Sequence, residues 1–198
     1  MALYQTFSNW LEQKVIVPVQ SANQKGTYDC GPGALRAISK LFGRDEDQEE
    51  LKDMTDAGKR KGTHPEDLVK TARRLGMKAV AKEGMTLKML LKQIKAGRPV
   101  ICAIQAHAKE GDKHEYKQLK HGHYLTAMGF DLRKKMIYFE DPSIKNGKRG
   151  KLRFNDFMKR WYDKEAYTED PLKPHLGIVI WDDVQVDPEY KTKAEKIP

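Results

Sequence analysis

The spacing of apolar residues changes part-way along this chain, and that change restricts the fold more than any single motif. Up to Gly97 most apolar residues recur every three or four positions, the period of helices that each bury one face. Ala34, Leu35, Ala37, Ile38, Leu41 and Phe42 make the first stripe, which ends at Gly43. Leu68, Val69, Ala72 and Leu75 make the second, ended by Gly76, and Leu87, Leu90, Leu91 and Ile94 the third, ended by Gly97. Glycine just past the last apolar turn is a helix-stop signal, because it enters the left-handed region at no steric cost. Thr63-His64-Pro65-Glu66 predicts a capping box for the second helix, in which the Thr hydroxyl and Glu carboxylate satisfy helix-start N–H groups and His64 belongs to the cap. Thr86 caps the third helix, and a short strand near 78–81 precedes it.

From Pro99 onward the pattern is that of strands. Val100-Ile101-Cys102-Ala103-Ile104 is an unbroken apolar run of strand length, as expected of a strand buried on both faces. Further strands are expected at 124–130, 136–140, 151–154 and 177–181, with a hairpin turn at 131–135. A short helix at 155–162 turns Phe157, Met158 and Trp161 inward. Helices first and antiparallel strands later imply an α+β fold rather than alternating β-α units. No repeat or low-complexity linker divides the sequence, so it reads as one domain over 1–198, with a loosely tied tail from about 183. The polar stretch 106–120 is longer than a usual loop, and loops of that length are often functional.

At 198 residues the chain can bury a core without staples. Its two cysteines, Cys30 and Cys102, do not suggest a disulfide framework, since Cys102 lies inside the apolar run. Neither a secretory signal nor an apolar run of membrane-spanning length is visible, and a reducing cytoplasm is the expected compartment. The net charge of +9 raises the question of nucleic acid. Yet the basic groups at 59–61, 73–74, 133–135 and 145–151 are spread among acidic ones such as 45–50, and that dispersal favours an acidic peptide or protein partner.

Chemistry concentrates at Asp29-Cys30-Gly31-Pro32-Gly33. A thiol in the first turn of a helix feels the partial positive charge of unpaired N–H groups, which favours the attacking thiolate. Asp29 can cap that helix, and the glycines leave room for a substrate backbone. A cysteine nucleophile needs a base and a group that orients the base, brought together by folding. His123 opens an apolar strand after Gly122, and Asp141 ends the neighbouring one before Pro142, so a hairpin between them brings both to one end of a sheet. His121 competes for the base, since residues two apart on a strand share a face. Gln24, six residues before Cys30, can supply a donor for the oxyanion formed when an amide carbonyl is attacked. No cluster with zinc-like spacing accompanies the His-x-His pair, and no metal or cofactor is expected. His107, His114 and His175 carry no assignable role.

These residues resemble the papain-like cysteine peptidases that remove double-glycine leaders from bacteriocin precursors, and in particular free-standing members without a transporter. The resemblance rests on Gln24 to Phe42, on His123-Tyr124-Leu125-Thr126-Ala127-Met128-Gly129-Phe130-Asp131, and on Glu140-Asp141-Pro142-Ser143. Gly97-Arg98-Pro99-Val100-Ile101 and the helix at 157–163 extend it over most of the chain. It implies a papain-like fold with N-terminal helices packed on a C-terminal antiparallel sheet. It also implies Cys30 as nucleophile, His123 as general base and acid, Asp141 as its orienting group and Gln24 as oxyanion donor. His123 is preferred to His121 because the family's base directly precedes the apolar strand. The implied activity is hydrolysis of a peptide or amide bond through a thioester. The same fold also supports acyl transfer to an amine, or a silent domain that binds a peptide.

Overall fold

Every residue from Val100 to Gln105 is buried, because the sheet that holds them is covered by helices on both faces. The computed structural model describes residues 14–58, 62–106, 122–145, 149–163, 174–184, 186 and 194–197. In chain order the elements are β1 (Lys14–Ile16), α1 (Cys30–Leu41), α2 (Gln48–Met54), α3 (Pro65–Arg74), β2 (Lys78–Lys82) and α4 (Leu87–Lys95). They continue with β3 (Val100–Gln105), β4 (Gly122–Asp131), β5 (Met136–Glu140), β6 (Arg149–Arg153), α5 (Phe154–Arg160), β7 (Gly177–Trp181) and β8 (Ala194–Lys196). The strands lie in the order β2-β7-β3-β4-β5-β6-β8. All pairings are antiparallel except the parallel β6–β8 pair. β1 adds to β4 at residues 129–131, beyond the stretch 122–127 that β3 occupies.

Strand alternation separates two cores. Val100, Cys102 and Ile104 of β3 pack with Leu125, Ala127, Phe139, Leu90, Ile94, Phe157 and Trp161. Ile101 and Ala103 face the other way, toward Ala34, Leu35 and Ile38 of α1 and Leu68 and Ala72 of α3. The fold is therefore α+β, with α1 and α3 on one face of the sheet and α4 and α5 on the other.

The glycine stops act as expected: Gly43, Gly76 and Gly97 have φ of +75°, +80° and +73°. Thr86 caps α4 by accepting from Met89 N at 3.2 Å. Two caps differ from expectation. His64, not Thr63, caps α3, its Nδ1 accepting from Glu66 N at 3.2 Å. Pro65 at the first helical position moves the cap to the residue just before it. Asp29 occupies the cap position of α1 but makes no capping bond. Its carboxylate turns back to accept from Gly26 N at 2.8 Å and pairs with Lys52 at 3.3 Å. The acidic stretch at 45–50, not expected to be helical, enters α2, capped by Asp47, which accepts from Glu49 N at 2.8 Å. Within the tail, expected to be loosely tied, Ala194–Lys196 pairs with β6 and Ile197 is buried.

Candidate active site

The α1 start is held in place by what its missing side chains admit. A Cβ on Gly31 would lie 2.6 Å from Thr63 Oγ1, and one on Gly33 would lie 2.9 Å from Pro142 Cβ. The two glycines thus let the segment before α3 and the segment after β5 close on the first turn of the helix. Tyr124 fixes the first of these, its hydroxyl donating to Thr63 O at 3.1 Å. Cys30, the first residue of α1, is half-buried at this junction.

Asp141 reaches His123 through a break in strand register. The hairpin pairs Asp131 with Met136 and Gly129 with Tyr138, but Thr126 pairs with Glu140, because Met128 is an extra residue. Without that bulge Asp141 would oppose Thr126, whose side chain points to the face away from His123. With it, the register continued past Glu140 sets Asp141 opposite Leu125, on the same face as His123 two residues away. The consequence is a hydrogen bond of 2.8 Å from His123 Nε2 to Asp141 Oδ1. Asp141 is fully buried and His123 is 8% exposed. Asp141 Oδ1 also accepts from Ser143 N at 2.9 Å and Ser143 Oγ at 2.7 Å.

The Cys30 side chain lies close enough to the His123 ring to act on its protonation. With Nε2 taken by Asp141, Nδ1 is the ring nitrogen left for the thiol. Burial disfavours the imidazolium. The hydrogen bond to Asp141, together with the nearby Cys30 side chain and the Asp141 charge, outweighs it and raises the His123 pKa to about 10. A ring held this way can keep a proton next to a thiolate and hand it to a leaving group. Cys102 has the opposite setting: it is fully buried on β3, and burial pushes its thiol far above the ordinary range.

Gln24 lies on an extended stretch that runs beside the end of β5. Its backbone N–H donates to Pro142 O at 2.8 Å, and its side-chain Nε2 donates to Gly26 O at 2.7 Å. One amide hydrogen is thereby fixed, and the second is left for another acceptor. On the same stretch Ala22 N donates to Glu140 Oε1 at 3.1 Å, and Asn23 Nδ2 donates to Ile144 O at 2.6 Å. Glu140 is fully buried, and burial pushes its carboxyl up against the charge of Arg149, which pairs with it and also donates to Val19 O. These contacts set Gln24 and Asp141 on one connected frame.

The structure thus brings together Cys30, His123 and Asp141, with Gln24 on the segment joined to Asp141. His121, the competing base, lies outside the described residues, as do His107, His114 and most of the long polar segment. His175 stacks on Trp161, with ring centroids 5.2 Å apart, on the far side from α1. No described helix is long and apolar enough to cross a membrane.

Solved structures share this architecture. The peptidase domain of Streptococcus ComA, a bifunctional ABC transporter involved in quorum sensing, matches with a TM-score of 0.59 at 18% identity, over 83% of this chain and 99% of that one. A C39-like peptidase from Bacillus anthracis matches with a TM-score of 0.61 at 17% identity, over 87% of this chain and 98% of that one. A double glycine motif protease from an AMS/PCAT transporter, in complex with its leader peptide, matches with a TM-score of 0.56 at 15% identity, over 85% and 97%. No curated protein matches the chain in sequence. Residues 13–169 match the family described as "Peptidase_C39 like family", and the chain belongs to that family.

Proposed function

We propose that this protein is a cysteine peptidase that cleaves a peptide or amide bond through a thioester on Cys30. The observation that carries this reading is the buried His123–Asp141 hydrogen bond of 2.8 Å, on a ring that lies beside the thiol at the start of α1. In the proposed reaction Nδ1 of His123 holds the thiol proton, and the sulfur attacks the substrate carbonyl. The new C–S bond places the carbonyl electron pair on oxygen, where the Cys30 backbone N–H and the Gln24 amide donate to it. The oxyanion collapses, the C–N bond breaks, and His123 gives its proton to the leaving amine. Water then attacks the thioester, passing a proton to His123, and the acid leaves with the thiol restored. Asp141 keeps the ring in the tautomer and orientation that both steps need.

A peptide substrate is supported by the leader peptide bound to one structural neighbour. The net charge of +9 supports an acidic one. The test is to incubate a peptide mixture that includes double-glycine sequences with the parent protein and with Cys30→Ala, and to map new N-termini by mass spectrometry. Cleavage by the parent alone supports the reading. No cleavage, or equal cleavage by both, refutes it. Products joined to an added amine in excess of hydrolysis would reassign the activity to acyl transfer.

A further inference from the structure

The oxyanion reading of Gln24 needs its backbone held still, and a fully buried glutamine lies against that backbone. Gln48 is the first residue of α2 and is fully buried. Oriented by its hydrogen-bond partners, its side-chain amide donates to Asn23 O at 2.7 Å and accepts from Lys25 N at 2.7 Å. It therefore pairs, as a neighbouring strand would, with the peptide groups on either side of Gln24. From the opposite side the end of β5 holds the same stretch, through Pro142 O on Gln24 N and Glu140 on Ala22 N. The rest of α2 reinforces the contact: Asp47 pairs with Lys25 at 3.3 Å and Lys52 with Asp29 at 3.3 Å. A buried side-chain amide whose donation and acceptance both go to the backbone of one short segment is an anchor for that segment.

We propose that Gln48 is a positioning residue for catalysis: its amide clamps the peptide groups flanking Gln24 and so fixes the oxyanion donor relative to Cys30. The inference rests on the peptidase reading above and acts only through Gln24. Gln48→Met keeps the length and apolar volume while removing both bonds. Gln48→Glu keeps the acceptor for Lys25 N and loses the donor for Asn23 O.

The experiment is a double-mutant cycle between positions 24 and 48. It reads Cys30 acylation by N-acetyl-glycyl-glycine 4-nitrophenyl ester, with iodoacetamide alkylation as the control, since alkylation forms no oxyanion. Gln24→Ala should slow acylation by about 100-fold. Gln48→Met should slow it by about 10-fold or more in the parent, change KM little, and leave alkylation unchanged. In the Gln24→Ala background Gln48→Met should add nothing. Should Gln48→Met fail to give a folded protein by circular dichroism, Gln48→Glu is read by the same criteria, with a smaller loss expected. Equal losses from the position-48 change in both backgrounds, parallel losses in alkylation, or no loss at all would overturn the positioning role while the Gln24 reading stands. A Gln24→Ala protein with full acylation would overturn both.

Discussion

Asp141→Asn removes one negative charge and almost nothing else. The amide oxygen can still accept from His123 Nε2, 2.8 Å away, and from Ser143 N and Oγ. A hydrogen bond to a charged group contributes about 1.5–3 kcal/mol net, against about 0.5–1.5 for a neutral one. The difference, about 1–1.5 kcal/mol, lowers the His123 pKa by about one at 1.36 kcal/mol per pH unit, from about 10 toward about 9. The sign for stability follows from the direction of the shift. A histidine raised on folding stabilises fully below its unfolded pKa of about 6.5, and that stabilisation fades as pH rises through about 10. The variant should therefore be about 1–1.5 kcal/mol less stable than the parent at pH 6.5, and the gap should close above pH 10. Urea unfolding at both pH values, with NMR titration of the His123 C2–H in the folded proteins, measures the two quantities. An unchanged titration midpoint in the variant, or a stability gap that persists unaltered above pH 10, would refute the charge argument.

His123→Ala should reduce peptide turnover by about 100- to 10,000-fold, the range for losing a general base, whereas His121→Ala should retain most activity; steady-state rates on one substrate decide between the two bases. Gly31→Ala forces a Cβ to 2.6 Å from Thr63 Oγ1 and 2.8 Å from Thr63 Cβ, so it should destabilise by about 1–3 kcal/mol. Thr63→Gly in the same chain should recover most of that loss in thermal melts, because it removes both atoms. Arg149→Met strands the fully buried Glu140 without its partner and should cost about 3–5 kcal/mol in urea unfolding, whereas adding Glu140→Gln should restore a large part of it.

The helices and strands that sequence reasoning located are those with a dense apolar stripe and an unambiguous stop. Leu68 and Ala72 of α3, Leu90 and Ile94 of α4, and all of β3 are buried as the periodicity requires. α2 escaped because only Leu51 and Gln48 of its residues are buried, and one apolar side chain makes no stripe. Its buried polar residue is spent on the backbone of residues 23–25, a contact with no sequence signature. β1 spans three residues and exists only because β4 continues past β3. The Thr-x-x-Glu pattern places His64 in the α3 cap, but with Pro65 at the first helical position His64 Nδ1, and not the Thr63 hydroxyl, is the capping acceptor.

At the site, sequence reading selects Cys30, His123, Asp141 and Gln24 because the chemistry calls for those residue types at a helix start and at two strand ends, and the structure brings the first three together. What placed Asp141 against His123 was not legible. A hairpin counted in regular register sends the two side chains to opposite faces, and only the bulge at Met128 reverses that. The Asp29 carboxylate was likewise assigned to the helix it precedes, whereas it closes the loop from Gly26 and meets Lys52.

The central claim is that Cys30 becomes covalently acylated with His123 as its base. Brief treatment of the folded protein with N-acetyl-glycyl-glycine 4-nitrophenyl ester, an acid quench and peptide mapping by mass spectrometry tests it in one measurement. The account predicts a single acyl group on the Cys30 sulfur, greatly reduced in His123→Ala, and none on the fully buried Cys102. Acylation of Cys102, acylation confined to lysines, or a Cys30 adduct that forms equally fast without His123 would contradict it.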